Sequence, residues 1–212
     1  MLETIIRFFQ SGGLFMYPIL LVLAIGLTIS LERYIFLTAT KNKNRKILAK
    51  IMPLLKKGEL KNVMQITTGS DAAVCKILTQ GLTNFKSARR RDDLEAMMDE
   101  SIMETIPRLE KRTHYLSMFA NIATLLGLLG TIIGLIKAFT AVAQVDPSMK
   151  AEILSTSISV AMNTTAFGLI VAIPLLILYT VLQTRTTEII DSLEMATVRF
   201  VNQLYKFKSL EK

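Results

Sequence analysis

The sequence has few of the residues that form disulfides, bind metals or act in catalysis: it contains one cysteine and one histidine. Its single cysteine cannot form an internal disulfide or a cysteine metal cage, and 10 glycines and 5 prolines among 212 residues exclude collagen-like and disordered chains. His114 is the only histidine, and no Cys, His or Asp cluster has metal-ligand spacing. Neither a nucleophile-elbow motif nor a phosphate-binding loop is present. We therefore expect no enzymatic activity, no metal and no cofactor.

Long apolar runs dominate what is present. The chain is 51% hydrophobic, with a mean hydropathy of +0.43, yet 20% of its residues are charged. The apolar residues concentrate in 14–37, 116–143 and 154–182; Lys137 is the only charge in the second run, and the third has none. About 20 mostly apolar residues cross a hydrocarbon core, and a soluble core helix seldom exceeds about that length. The sequence predicts three transmembrane helices. The first is expected to be retained because no cleavage site follows it.

The charges lie mainly between and after the runs. Residues 38–115 hold 16 Lys and Arg against 9 Asp and Glu, and residues 183–212 hold 5 Lys and Arg. Positive residues stay cytoplasmic, so the 38–115 loop and the 183–212 tail are predicted to be cytoplasmic, and the 1–13 segment and the 144–153 turn periplasmic. The net charge of +8 is then a topology signal. The alternative, a basic peripheral nucleic-acid binder, predicts soluble behaviour.

Apolar residues repeat at helical spacing in the loop and in the tail. The stretch from Arg90 to His114 and the tail both carry such stripes. We expect amphipathic helices that form a cytoplasmic helical bundle extending the spans. The first of these stretches is expected to run straight into the second span, with a kink at Pro107. No β pattern is present, so the predicted fold is an all-α membrane protein.

Small and polar residues cluster inside the second and third spans. Small residues let helices approach closely in lipid, which suggests a helix-packing role for Gly127, Gly130, Gly134, Gly168 and the nearby Pro174. Seven hydroxyl or amide side chains lie within eleven residues of the third span: Ser155, Thr156, Ser157, Ser159, Asn163, Thr164 and Thr165. Polar groups in a span face protein or a water-filled cavity. Each residue alone is explained by hydrogen bonding to helices, but the group favours a polar lumen.

Two threonines are predicted to lie at similar depth in the membrane. Thr131 is 15 residues into the second span, about 22 Å along it, and Thr165 is 11 residues into the antiparallel third span. A hydroxyl both donates and accepts hydrogen bonds, so the pair could line one ion pathway. No carboxylate lies in either span. Glu32, beside Arg33, is interpreted as part of an interface ion pair rather than as a proton relay.

These motifs resemble a known family. The strings Gly127-Leu-Leu-Gly-Thr-Ile-Ile-Gly134 and Asn163-Thr-Thr-Ala-Phe-Gly-Leu169 are similar to the second and third spans of the MotA/TolQ/ExbB proton channels. The opening Gly12-Gly-x-x-Met-Tyr-Pro18 and the exit Leu31-Glu-Arg33 resemble the first span of the ExbB/TolQ branch.

The resemblance implies a function and partners. Family members are pentamers of three-span subunits, and their pore holds the spans of an ExbD- or TolR-like partner dimer with an essential aspartate. Proton flow then drives work at the envelope through a TonB-like or TolA-like protein. The resemblance places the pathway at Thr131 and Thr165, to which we add Thr164, Asn163 and Ser159. The ion-pathway hypothesis competes with a flagellar-type stator, which has four spans, and with a non-conducting scaffold.

The sequence departs from the family pattern at two positions. The glutamate that ExbB and TolQ carry five residues before the pore threonine is Val160 here, and Lys137 replaces a neutral residue. Both changes make the pathway less acidic. The proton-binding carboxylate is therefore expected to belong to the partner.

Overall fold

The computed structural model describes residues 8–9, 12–85, 88 and 90–210, and no strand occurs among them. Its helices are α1 (Met16–Lys56), α2 (Leu60–Thr68), α3 (Ala73–Asn84), α4 (Arg91–Glu110), α5 (His114–Val142) and α6 (Lys150–Leu210). Three stretches, Met16–Lys56, Arg91–Val142 and Lys150–Lys206, contain windows long and apolar enough to cross a membrane. The predicted all-α membrane fold is confirmed.

The apolar windows are mostly not covered by the rest of the chain. Only 28%, 22% and 28% of the three windows are buried. Among the large exposed hydrophobic residues are Leu125, Ile136 and Phe139 on α5 and Ile170 and Ile177 on α6. Surfaces of this kind are stable in lipid or against another chain, and not in water.

The chain divides into two compact units, and α1 and α6 contribute to both. The span unit comprises the described residues up to Glu32 together with Arg112–Val181. The loop unit comprises the described residues of Arg33–Lys111 and those from Leu182 onward. The span unit therefore contains α5, and the loop unit contains α2, α3 and α4.

Phe200 on α6 is the largest fully buried side chain of the loop unit. A Cβ added at Gly81 of α3 would lie 3.0 Å from Phe200 Cε1 and 2.7 Å from Met98 Sδ of α4, so the three helices meet at this point. The tail stripe predicted from helical spacing is buried as expected at Ile189, Leu193, Ala196, Phe200 and Leu204. The core of this unit is therefore formed by amphipathic helices.

The connection between α4 and α5 differs from the expected kinked helix. Helix α4 continues through Pro107 and ends at Glu110, and α5 begins at His114 after a turn in which Arg112 has φ 65°. Proline removes a backbone donor within α4, which continues past it, whereas the left-handed Arg112 ends the helical path. The stretch therefore does not run straight into the second span as expected, and the kink at Pro107 stays a prediction.

Arg33 stabilises the carboxyl end of α4. The side chain is 3% exposed, and its guanidinium donates to Leu109 O at 2.6 Å and to Arg108 O at 3.4 Å. The last four carbonyls of a helix lack partners within the helix, and a cation there complements the helix dipole. Glu32 forms its ion pair with Arg112, at 3.7 Å. The predicted ion pair at Glu32 is present, and its partner is Arg112.

In the loop unit, the pKa values of Glu188 and Cys75 are shifted by their surroundings. A hydrogen bond from Lys41, 2.6 Å away, and the charge of that lysine lower the pKa of Glu188. Burial raises the pKa of the Cys75 thiol, since a thiolate in apolar surroundings is poorly solvated. The Lys41–Glu188 pair is half-exposed, so it contributes little to stability.

Replacing Phe200 with alanine is expected to lower the free energy of unfolding by about 3–5 kcal/mol, because a large buried ring leaves a cavity among three helices. Val198, two residues away on α6 and 52% exposed, provides the matched control. The purified chain in detergent is unfolded with urea and followed by circular dichroism. Equal losses for Phe200→Ala and Val198→Ala would contradict the assigned core.

Candidate ion-pathway site

Helices α5 and α6 approach each other at backbone distance in the span unit. A Cβ added at Gly168 would lie 2.7 Å from Ala123 O and 3.1 Å from Gly127 Cα. A Cβ added at Gly127 would lie 3.2 Å from Thr165 Cα. Real Cβ atoms essentially never come within 3.0 Å of a backbone atom, so glycine is required at Gly168 for this packing. The absence of side chains on both helices allows the close approach.

Two further glycines extend the contact along α5. A Cβ added at Gly130 would overlap Thr164 Cγ2, and one added at Gly134 would lie 2.9 Å from Ala161 Cβ. Residue numbers rise along α5 as they fall along α6, which is the pairing of antiparallel helices. Spacings of three, four and seven residues place these positions on one helix face. The second and third spans therefore pack through a continuous stripe of small residues.

Thr165 places a hydroxyl inside this contact. Its Oγ1 donates to Gly127 O at 2.9 Å, and the residue is half-buried. In an α-helix the carbonyl of residue 127 also accepts the backbone N–H of Thr131. Thr131 Oγ1 in turn donates to Leu128 O at 2.6 Å. The two threonines therefore lie within one turn of the same carbonyl, at similar depth in the unit.

Both hydroxyls keep acceptor capacity. A threonine hydroxyl has one proton and two lone pairs, and in each case the proton is donated to a carbonyl. Thr131 and Thr165 are both half-buried, so neither is sealed inside the subunit. They can accept a hydrogen bond from water or from a partner side chain without ionising. The two side chains therefore offer uncharged hydrogen-bond acceptors at the contact between α5 and α6.

Thr164 has different surroundings. It is 2% exposed, and its Oγ1 lies 2.6 Å from Gly12 O and 3.0 Å from Val160 O. Gly12 belongs to the segment that precedes α1. The hydroxyl of Thr164 therefore faces the interior of the subunit.

The other predicted site residues are spread over α6. Ser159 is exposed and Asn163 is half-buried, and Ser155 and Thr156 nearer the start of the helix are exposed as well. Pro174 is exposed within α6, away from the glycine contacts described above. An exposed hydroxyl in a span can bond to a carbonyl of its own helix, as Thr180 does to Leu176 O at 3.0 Å, or to a polar neighbour outside the subunit.

Some contacts were not predicted from the sequence. Ala123 and Ala161 complete the small-residue stripe, and Gly12 pairs with Thr164. Ala161 lies seven residues before Gly168, as Gly127 lies seven before Gly134. This shared spacing was the available signal for the alanine. No local pattern indicates the contact of Gly12, 152 residues away.

Lys137 and His114 lie outside the threonine–glycine contact. Lys137 is exposed on α5. The ring of His114, also exposed, lies 6.3 Å from the ring of Tyr179. Among the residues that the structure describes, no group of three or more His, Cys, Asp and Glu side chains could hold a metal ion.

The fold and the site define a class of protein. Three apolar helical stretches, two of which pack through small residues and carry hydroxyls at their contact, are typical of a multi-span membrane protein with a polar pathway. A sequence profile of the MotA/TolQ/ExbB proton channel family matches residues 70–195, more than half of the chain. The chain belongs to this family and is a subunit of the proton-channel class.

Curated relatives agree with this assignment. The chain is 28% identical over 194 residues to a biopolymer transport protein ExbB homolog of Methanothermobacter thermautotrophicus, covering 91% of this chain and 67% of that protein. It is 46% identical over 59 residues to biopolymer transport protein exbB1 of Vibrio cholerae, covering 28% and 26%. It is 21% identical over 169 residues to biopolymer transport protein ExbB-like 3 of Synechocystis sp., covering 79% and 80%.

Gly168→Ala is expected to destabilise the chain by about 1–3 kcal/mol, because the added methyl meets backbone atoms that cannot move independently. Gly26→Ala is the matched control. The three atoms nearest to its methyl would all belong to the side chain of Leu175, with Cδ2 at 2.6 Å, so a side chain rather than the backbone has to shift. Both variants are unfolded in mixed micelles by titration with SDS. A loss for Gly26→Ala as large as that for Gly168→Ala would contradict the backbone contact.

Proposed function

We propose that this chain is the channel subunit of a stator-type motor that couples the proton motive force to energised transport or envelope work. The main support for the proposal is the hydrogen bond from Thr165 Oγ1 to the carbonyl of Gly127, a residue that lies one helical turn before Thr131 on α5. It places two hydroxyls at one level of the span unit. The pathway residues are Thr131, Thr165, Ser159 and Asn163. Thr164, predicted with them, is assigned a different role below.

The partner is proposed to supply the proton-binding group. The second and third spans contain no carboxylate, and Lys137 is their only charge. A hydroxyl relays or solvates a proton but does not titrate near neutral pH. An aspartate on the single span of an ExbD/TolR-like dimer, with a pKa raised by the low dielectric, would alternate between charged and neutral forms. The absence of a carboxylate cage also favours protons over sodium.

Several copies are proposed to surround the partner. Most of each apolar window is uncovered, and exposed hydroxyls such as Ser159 need polar neighbours. A homopentamer, as the family resemblance implies, would cover part of the apolar faces and turn the hydroxyls towards a shared lumen. The remaining faces would contact lipid. Force would reach the envelope through a TonB-like or TolA-like protein.

The proposed location is the bacterial inner membrane. Residues 1–13 and the 144–153 turn are proposed to be periplasmic, and the 38–115 loop and the 183–212 tail cytoplasmic. The support is the excess of Lys and Arg in residues 38–115, including a basic cluster directly after the first span. Three stretches able to cross a membrane are found among the described residues, whereas flagellar-type stators have four spans, and a stator of that type stays the alternative.

Thr131→Val and Thr165→Val are each expected to reduce proton flux by about tenfold or more, since removing a hydroxyl leaves the pathway's polar groups without a partner. The chain is reconstituted with its partner, sought as the short neighbouring reading frame with one span and an Asp. Flux into liposomes is driven by a membrane potential and read with a pH-sensitive dye.

Thr28→Val is the control for this experiment. Thr28 is exposed on α1, and its hydroxyl donates only to Ala24 O of its own helix, at 2.8 Å. It should leave flux unchanged. If flux and energy-coupled work survive both Thr131→Val and Thr165→Val, the polar stripe only packs helices and the scaffold hypothesis is correct.

A further inference from the structure

Thr164 connects α6 to the segment before α1. Its hydroxyl has one proton and two carbonyl acceptors, Gly12 O at 2.6 Å and Val160 O at 3.0 Å. The bond to Val160, four residues earlier, is available to any helical threonine. The bond to Gly12 forms only when the segment before α1 is packed against α6. Of the two bonds, the one to Gly12 has the shorter oxygen–oxygen distance.

Aromatic rings attach the same segment one turn further along α6. The ring of Phe9 lies 5.8 Å from that of Phe167 and 5.3 Å from that of Tyr17, both in edge-to-face geometry. Phe8 packs against Phe167 at 6.4 Å. Edge-to-face pairs at these distances are favourable. Phe8, Phe9, Gly12 and Gly13 are called the N-terminal clamp below.

Gly13 lies next to Val160, which is one turn before Thr164 on α6, whereas Phe167 is one turn after it. Gly13 has φ +75°, and a Cβ added there would lie 3.5 Å from Val160 Cγ1. Residues 160, 164 and 167 share one face of α6. The clamp therefore follows this face over two helical turns, with the Thr164 hydroxyl bond at its centre.

The clamp holds the residue next to Thr165. Thr164 Cγ2 packs where a Cβ on Gly130 would be, so Thr164 is fixed by α5 on one side and by the clamp on the other. Rotation of α6 about its axis, which would break the Thr164–Gly12 bond, would also move the Thr165 hydroxyl away from Gly127 O. The two adjacent threonines therefore have separate tasks.

We propose that Thr164 is a positioning residue: its hydroxyl bond to the Gly12 carbonyl fastens the N-terminal clamp to α6 and keeps Thr165 on the Gly127 carbonyl. The consequence for proton flow rests on the proposed function. The clamp itself does not, so it can be tested on the chain alone.

The test compares Thr164→Val, which keeps the shape and removes the hydroxyl, with Thr164→Ser, which keeps the hydroxyl and removes the methyl. The chain contains no tryptophan, so Phe9→Trp gives a single fluorescent reporter in the clamp. The full chain is purified in lipid nanodiscs, and acrylamide quenching is measured in the parent and in both variants. Circular dichroism confirms equal helix content.

Thr164→Val is expected to lower the ratio of docked to undocked clamp by about threefold, the average effect of one interhelical hydrogen bond in a membrane. Quenching should rise and the emission should shift to the red. Thr164→Ser should stay closer to the parent than Thr164→Val, because it keeps the hydroxyl bond and loses only the methyl contact with α5. Unchanged quenching in Thr164→Val, or equal effects in both variants, would overturn the proposal, since the hydroxyl would then not fasten the clamp.

A second measurement follows proton flux with the partner present. Thr164→Val should reduce flux and Thr164→Ser should restore it, which a role in packing alone would not produce. Loss of flux in both variants, or in neither, counts against positioning by the hydroxyl. If flux is insensitive to Thr165→Val, the proposed function fails, and the quenching of the reporter still decides whether Thr164 fastens the clamp.

Discussion

The close approach of α5 and α6 at Gly127 and Gly168 is the constraint on which the rest of the span unit depends. No side chain separates the two backbones, so a Cβ at Gly168 would lie 2.7 Å from Ala123 O. At this separation the Thr165 hydroxyl reaches the Gly127 carbonyl across the contact. A wider spacing would leave the hydroxyl unpaired or limited to its own helix.

The proposed pathway rests on the close approach of α5 and α6 and on the lack of a carboxylate in the second and third spans. The second and third spans bring hydroxyls together and contain no carboxylate, and in the proposed mechanism these hydroxyls solvate a moving proton. The uncovered apolar faces are of the kind that lipid or another chain covers, and the proposal assigns the hydroxyl-bearing faces to further copies and a polar partner. In this account the subunit supplies rigid positioning, and the titrating group comes from the partner.

The sequence predicted the helical class and the spans because long apolar runs and helical periodicity are local signals. It also indicated the buried stripe that includes Phe200. The depth of Thr131 and Thr165 in the membrane stays a prediction. The sequence did not indicate the turn at Arg112, since left-handed arginine has no sequence signature, or the bond from Thr164 to Gly12. That contact joins residues 152 positions apart and depends on how the helices pack, which local patterns do not encode.

A double-mutant cycle tests most directly whether the glycine contact and the threonine bond form one unit. Gly168→Ala, Thr165→Val and the double variant are unfolded by SDS in mixed micelles, and their unfolding free energies are compared with that of the parent. The account predicts that the two losses are not additive and differ from their sum by about 0.5 kcal/mol or more, because the first change moves the bond that the second removes. Additive losses would contradict it.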